Sequence, residues 1–161
     1  SMNLLLEPSY FYKNNEYDLF GNIHFLDTKP NNIMEGKFTK LIFSNEEFTL
    51  NGLYMVIDLF NAQEKQCENR NKFTLKFQSN HLNNISLIHS ILQMEQKILD
   101  IYYNYKKPKK YAKLALHQQL TNGFLHAYYE KNNFKNKYML KISGVWETSQ
   151  CYGITYKFSK L

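Results

Sequence analysis

KFTLKFQSNHLNNISLIHSILQMEQKILDIYYNY, residues 72–105, changes its hydrophobic period part-way along. Over Lys72 to Gln78 the pattern has a period of two, with Phe73, Leu75 and Phe77 on one side and Thr74, Lys76 and Gln78 on the other. That is a half-buried strand. From Asn84 to Tyr105 the apolar positions Ile85, Ile88, Ile91, Leu92, Ile98, Leu99 and Tyr102 recur at helical spacing. A strand followed at once by a long amphipathic helix predicts a mixed fold in which the helix packs on a sheet through its isoleucine side. Asn83 or Asn84 is suited to cap the helix start, and Pro108 marks its end. A shorter helix is predicted over residues 109–121, stopped at Gly123.

Strand patterns lie on both sides of this helical region. Before it come residues 17–26, with Gly21 placed for a bulge, and then 37–43. Residues 48–50 and 53–60 flank Asn51-Gly52, a pair that favours a tight turn, so a hairpin is predicted there. After it come 123–130, 137–147 and 151–159, the last two forming a hairpin about Thr148-Ser149-Gln150. Strict alternation places Tyr138, Leu140, Ile142, Gly144 and Trp146 on one face of the first arm. Tyr152, Ile154, Tyr156 and Phe158 share a face of the second. The order is strands, a helical insertion at about 84–121, then strands. The predicted class is α+β, mainly antiparallel β, arranged as an elaborated OB-like barrel in one domain over residues 1–161. An α+β sandwich fits the same string.

Composition narrows the function. The chain carries a net charge of +6, and Arg70 is its only arginine. Lysine is a point charge without arginine's planar fork, so such a chain suits a phosphate backbone better than a base edge. Aromatic residues make up 16 %, with 13 Tyr and 12 Phe against a single Trp, which suits strands and also base stacking. Cys67 and Cys151 are far apart and match neither a disulfide framework nor a zinc spacing, so free thiols and an intracellular, reducing compartment are expected. The first residues lack a basic, apolar leader and no stretch reaches the roughly 20 apolar residues of a membrane span, so no membrane partner is expected.

No catalytic constellation is legible. Six scattered glycines form no phosphate loop, and His24, His81, His89, His117 and His126 show no ligand spacing. A metal-dependent nuclease needs convergent carboxylates, which Asp58 with Asp18 or Asp27 could supply only through the tertiary fold. No enzyme, cofactor or metal is expected.

Two segments carry positive signals. In Tyr102-Tyr103-Asn104-Tyr105-Lys106-Lys107-Pro108-Lys109-Lys110-Tyr111-Ala112-Lys113, lysines and tyrosines are interleaved about a proline. Tyr103 and Tyr105 offer ring faces to bases, and Lys106, Lys107, Lys109, Lys110 and Lys113 offer charge to phosphates. Lys-Lys-Pro-Lys-Lys also resembles a nuclear-import signal. The second signal is the closing hairpin, residues 138–158, with Trp146 before the turn and Tyr152-Gly153-Ile154-Thr155-Tyr156-Lys157 after it. This hairpin resembles that of single-stranded DNA-binding OB-fold proteins of large DNA viruses and bacteriophages, over about the last 21 residues. The resemblance implies Trp146, Tyr152, Tyr156 and Lys157 on or near a strand-binding face. It also implies a role in viral replication or recombination, in a host nucleus or a cytoplasmic replication site. The chain ends Phe158-Ser159-Lys160-Leu161, without the acidic tail that replicative members of that group often carry.

The function expected is therefore sequence-tolerant binding of single-stranded nucleic acid, DNA foremost. The alternative is a structural or host-interaction protein that self-assembles through its aromatic strands as a homo-oligomer. The third reading is the metal-dependent nuclease.

Overall fold

The computed structural model describes residues 5–6, 20–33, 35–69, 71–129 and 137–160. In chain order the elements are β1 (Leu5–Leu6), β2 (Ile23–Pro30), β3 (Lys37–Ser44), β4 (Thr49–Leu50), β5 (Leu53–Ile57), β6 (Gln63–Gln66) and β7 (Lys72–Lys76). There follow α1 (Leu82–Lys106), β8 (Tyr111–Ala112), α2 (Ala115–Thr121), β9 (Phe124–Tyr129), β10 (Tyr138–Glu147) and β11 (Cys151–Lys160). The fold is mixed α+β. Among the described residues the 11 strands belong to one sheet with a path β1-β5-β10-β11-β9-β7-β6, while β3 branches from β10 and carries β2 and β4, and β8 pairs with β11. Most pairings are antiparallel; β1–β5, β8–β11 and β9–β11 are parallel. Among the described residues this path is open.

β10 organises the sheet. Its first half, Tyr138 to Ile142, pairs with β5, and its second half, Gly144 to Glu147, pairs with β3. The register against β11 slips between Ile142 and Gly144. A one-residue bulge moves every later side chain to the opposite face. Tyr138, Leu140 and Ile142 therefore share the buried side with Val145 and Glu147, and Trp146 turns outward. Strict alternation had placed Trp146 with Leu140 and Ile142, and the bulge corrects that reading.

The inner side of the sheet meets α1. Ile88, Ile91, Met94, Ile98, Leu99 and Tyr102 are buried on one helix face, as the isoleucine spacing predicts, and each contributes roughly 1.5–3 kcal/mol by leaving water. The start differs from expectation. His81 is the N-cap, its Nδ1 accepting from the Asn83 N–H at 3.1 Å. Asn84 is instead a buried clip: its Nδ2 donates to Phe60 O and Gln78 O, and its Oδ1 accepts from Phe60 N–H. At the other end Lys107 adopts a left-handed conformation (φ 48°) and donates its N–H to Tyr103 O at 2.7 Å, just before Pro108. No helix among the described residues is long and apolar enough to cross a membrane.

Other expectations shift in detail. Gly21 lies in a 3-10 turn, Phe20–Asn22, rather than a bulge, and residues 17–19 lie outside the described residues. The Asn51-Gly52 pair does turn the chain, but its arms do not pair with each other: β4 pairs with β3, and β5 with β10. Gly52 sits at φ 141°, where a Cβ would come 2.6 Å from Ile142 O, so the turn is pressed onto β10 instead of closing a hairpin. The second helix is shorter than predicted because Tyr111–Ala112 is extended as β8. Gly123 (φ 71°) ends that helix as expected.

α2 has no side-chain cap of its own. Its first amides are held from α1 by the buried Glu95 carboxylate, which accepts from Leu116 N–H at 3.0 Å and His117 N–H at 2.9 Å. Burial pushes the Glu95 carboxyl up to about 7, against the downward pull of those two donors. The folded state therefore binds more protons than the unfolded chain between the usual 4.5 and about 7. Stability is accordingly expected to fall as pH rises through that window, and the Glu95→Gln protein is expected to lose this slope. Urea midpoints measured across the window in both proteins check it, and equal slopes would refute the assignment to Glu95.

Candidate nucleic-acid interface

The lysine–tyrosine segment leaves α1 at its C-terminal end and runs along the edge of β11. Tyr111 N–H donates to Gln150 O at 3.0 Å and Lys113 N–H to Tyr152 O at 2.8 Å, which fixes the segment to the sheet. Tyr103, Tyr105 and Tyr111 are exposed, Tyr111 by 80 %. Lys106, Lys107, Lys109 and Lys113 are exposed as well. Tyr105 is partly engaged, stacked on Phe25 at 6.2 Å with Lys106 Nζ 5.3 Å from its centroid. Lys110 is committed elsewhere: its Nζ lies 3.0 Å from Glu147 Oε1. Its ammonium is thus held in an ion pair at the base of the segment.

That ion pair ends a polar chain that crosses the core. Thr28 Oγ1 and Thr39 Oγ1 lie 2.6 Å apart, Thr39 Oγ1 lies 3.2 Å from Tyr102 Oη, and Tyr102 donates to Glu147 Oε2. Burial and the Glu147 carboxylate push the Tyr102 phenol up to about 12. Burial pushes Glu147 upward, yet hydrogen bonds from Tyr102 and Lys110 and the charges of Lys110 and Lys37 outweigh it and hold the carboxyl below its usual range.

The closing hairpin divides its candidate residues between two faces. Tyr152 is buried on the inner side, its ring 5.8 Å from that of Tyr102. Tyr156 also points inward and donates to Gln119 Oε1 on α2, and burial pushes its phenol up to about 12. Both residues thus alternate onto the side opposite Trp146 and Lys157, and the four candidates do not share one face. The reason is the two-residue period of β11: the residues next to the buried Ile154 and Phe158 in alternation must share their side.

The outer face holds a row that sequence reasoning missed. Across β5, β10, β11 and β9 stand Tyr54, Lys141, Lys157 and Tyr128. Lys141 and Lys157 are direct cross-strand partners. Lys141 Nζ lies 5.3 Å from the Tyr54 ring centroid and Lys157 Nζ 4.6 Å from that of Tyr128. Lys40 on β3 points the same way, opposite Gly144. Burial and the nearby Lys141 charge lower its pKa. Like charges directly opposite on a sheet repel, so the row favours an anion laid across it.

Trp146 and Phe38, cross-strand partners, continue this face. The Trp146 ring lies over Gly153, where a Cβ would come within 2.6 Å of it and within 2.9 Å of Lys113 O. The Lys113 carbonyl and the Trp146 ring thus both approach Gly153, which brings the end of the segment to this part of the sheet. Among the described residues no group of three His, Cys, Asp or Glu could hold a metal ion, and Asp18 lies outside them. Arg70 lies outside them too, while Cys67 and Cys151 are free thiols. Comparison with known proteins finds no matching family model, no matching curated protein and no matching solved structure.

Replacing Tyr102 by Phe removes the hydroxyl between Thr39 and Glu147 and leaves a buried carboxylate short of a donor. The expected cost is about 1–3 kcal/mol of stability, read as a lower denaturant midpoint with an unchanged slope. A midpoint equal to that of the unaltered protein would show that the chain of hydroxyls is not structural.

Proposed function

We propose that the protein binds single-stranded nucleic acid, DNA foremost, with little regard to sequence. The observation that carries this reading is the Tyr54–Lys141–Lys157–Tyr128 row. Two lysines placed side by side neutralise consecutive phosphates and release their counterions, while the flanking rings offer π surfaces that any base can use. The exposed Lys106, Lys107, Lys109 and Lys113 add positive charge in the segment that runs beside β11. A surface built on lysine favours tolerance, since bidentate readout of guanine draws mainly on arginine.

The finer description of the fold, an OB-like barrel, belongs to the same proposal. Its support is the shared, bulged strand β10, which lets one strand serve two neighbours and bends the sheet. The role in viral replication or recombination rests on the likeness of the closing hairpin to single-stranded DNA-binding proteins of large DNA viruses and bacteriophages.

The test is a salt titration with labelled single-stranded and duplex DNA. Affinity for single strands is expected to fall with a log–log slope of about −0.7 per phosphate neutralised. Replacing Lys141 and Lys157 together by Ala is expected to flatten the slope by about 1.4 and to weaken all sequences alike. The Lys106, Lys107 and Lys109 triple replacement is expected to act in the same direction. Absence of binding at low salt by the folded protein would overturn the proposal and favour the self-assembling interaction protein.

A further inference from the structure

A cleft of about 740 Å³ lies between the β2–β3 loop and strands β10 and β11, lined by Lys29, Asn32, Ile33, Phe38, Trp146 and Thr155 among others. Resting on the nucleic-acid reading, we propose that this cleft captures one unstacked base of the bound strand, with its sugar, while the neighbouring phosphates lie on the lysine row.

The argument begins with the two rings. Phe38 and Trp146 stand opposite one another in the β3–β10 register and face outward. Each is laid against a glycine: a Cβ on Gly144 would come 2.7 Å from the Phe38 ring, and one on Gly153 2.6 Å from the Trp146 ring. Any larger residue at either position would lift the ring off the sheet. The Trp146 indole N–H is already used, donating to Ile154 O at 3.1 Å, which sets the ring's rotation. The indole is left with π surface to offer and no free donor, so it suits stacking.

The opposite rim is built from a closed turn. Asn31 donates its N–H to Gly36 O at 3.0 Å, and its side chain accepts from Ile33 N–H at 3.1 Å. The turn holds Ile33 out at 96 % exposure. Asn32 brings an amide and Thr155 a hydroxyl, groups able to meet the edge of any base. Lys29 brings a cation, and no carboxylate is among the described residues that line the cleft. Flat apolar walls, neutral polar edges and positive charge without acid fit a base joined to a phosphate. The cleft size falls within the roughly 300–1,000 Å³ of small-ligand sites. Thr155 lies two residues from Lys157 on the same face of β11, so the cleft opens directly beside the lysine row.

Trp146 is the only tryptophan, so its emission reports on this cleft alone. The full chain is titrated with a labelled thymidine homopolymer and with an abasic strand of equal length and charge. Binding is followed by anisotropy and Trp146 emission is read in the same samples. The homopolymer is expected to quench Trp146, and the abasic strand to bind through its phosphates while leaving emission nearly unchanged. Phe38→Ala is expected to weaken the homopolymer about tenfold and the abasic strand hardly at all. Ile33→Asp, at an exposed position that leaves folding intact, is expected to reduce quenching by setting a negative charge on the rim. A homopolymer that binds by anisotropy without altering emission, or an abasic strand that quenches equally, overturns the cleft assignment and leaves the lysine row standing. If neither strand binds, the nucleic-acid reading itself fails and the cleft proposal falls with it.

Discussion

Glu147 is the residue on which the rest of the arrangement hangs. A buried carboxylate costs several kcal/mol unless its oxygens are satisfied, and here one oxygen takes the Tyr102 hydroxyl and the other the Lys110 ammonium. Those partners come from the last turn of the long helix and from the segment after it. The same residue ends β10 and pairs with Lys37 on β3. A single side chain thus fixes the helix end, the branch point of the sheet and the base of the lysine–tyrosine segment. Withdrawing Lys110 into this network ties the segment down, and its exposed lysines are presented from a fixed base.

The second constraint is geometric. The bulge between Ile142 and Gly144 is one residue of slip, but it decides which side of the protein can meet a partner. Before it, β10 lines the core with Tyr138, Leu140 and Ile142; after it, Val145 and Glu147 take over that role. Without the slip the core would receive Gly144 and Trp146 and lose the carboxylate that Tyr102 requires. Packing and surface are therefore solved by the same irregularity: Glu147 goes in because Trp146 goes out. Gly144 then permits the approach of β3 at that point, since a Cβ there would come 2.3 Å from Thr39 O.

These two features explain what could be read from the sequence. Periodic signals carried through: Ile88, Ile91, Ile98 and Leu99 are buried on α1, Phe73, Leu75 and Phe77 are buried on and just after β7, and Thr148-Ser149-Gln150 joins β10 to β11. β6 escaped notice because Gln63, Glu64, Lys65 and Gln66 are all exposed and show no alternation. The exposed lysines of the candidate segment were legible because a cluster is local. The Tyr54–Lys141–Lys157–Tyr128 row was not, because its members come from four strands and meet only through register. The separation of Tyr152 and Tyr156 from Trp146 and Lys157 was not legible for a related reason. A tyrosine in a strand looks the same in sequence whether its hydroxyl meets water or, as with Tyr156, a side chain on a helix.

The chemistry of the two faces then follows from what each charge has for a partner. Inside, the two buried acids among the described residues are answered: Glu147 by Tyr102 and Lys110, and Glu95 by two backbone amides. Outside, Lys141 and Lys157 are cross-strand partners with tyrosine rings against their ammonium groups, and Lys40 lies near Lys141. A cation over a ring gains only about 0.5–1 kcal/mol at an exposed site, and a polyanion would add its own charge to that of the ring. A ring that meets a lysine from one side can still meet a base from another, so the same tyrosines that meet the lysines can also serve as stacking surfaces. On the proposed reading, a flexible strand of phosphates and bases would match both the like charges and the rings of this face. A folded acidic protein would answer the charges and leave the rings unused.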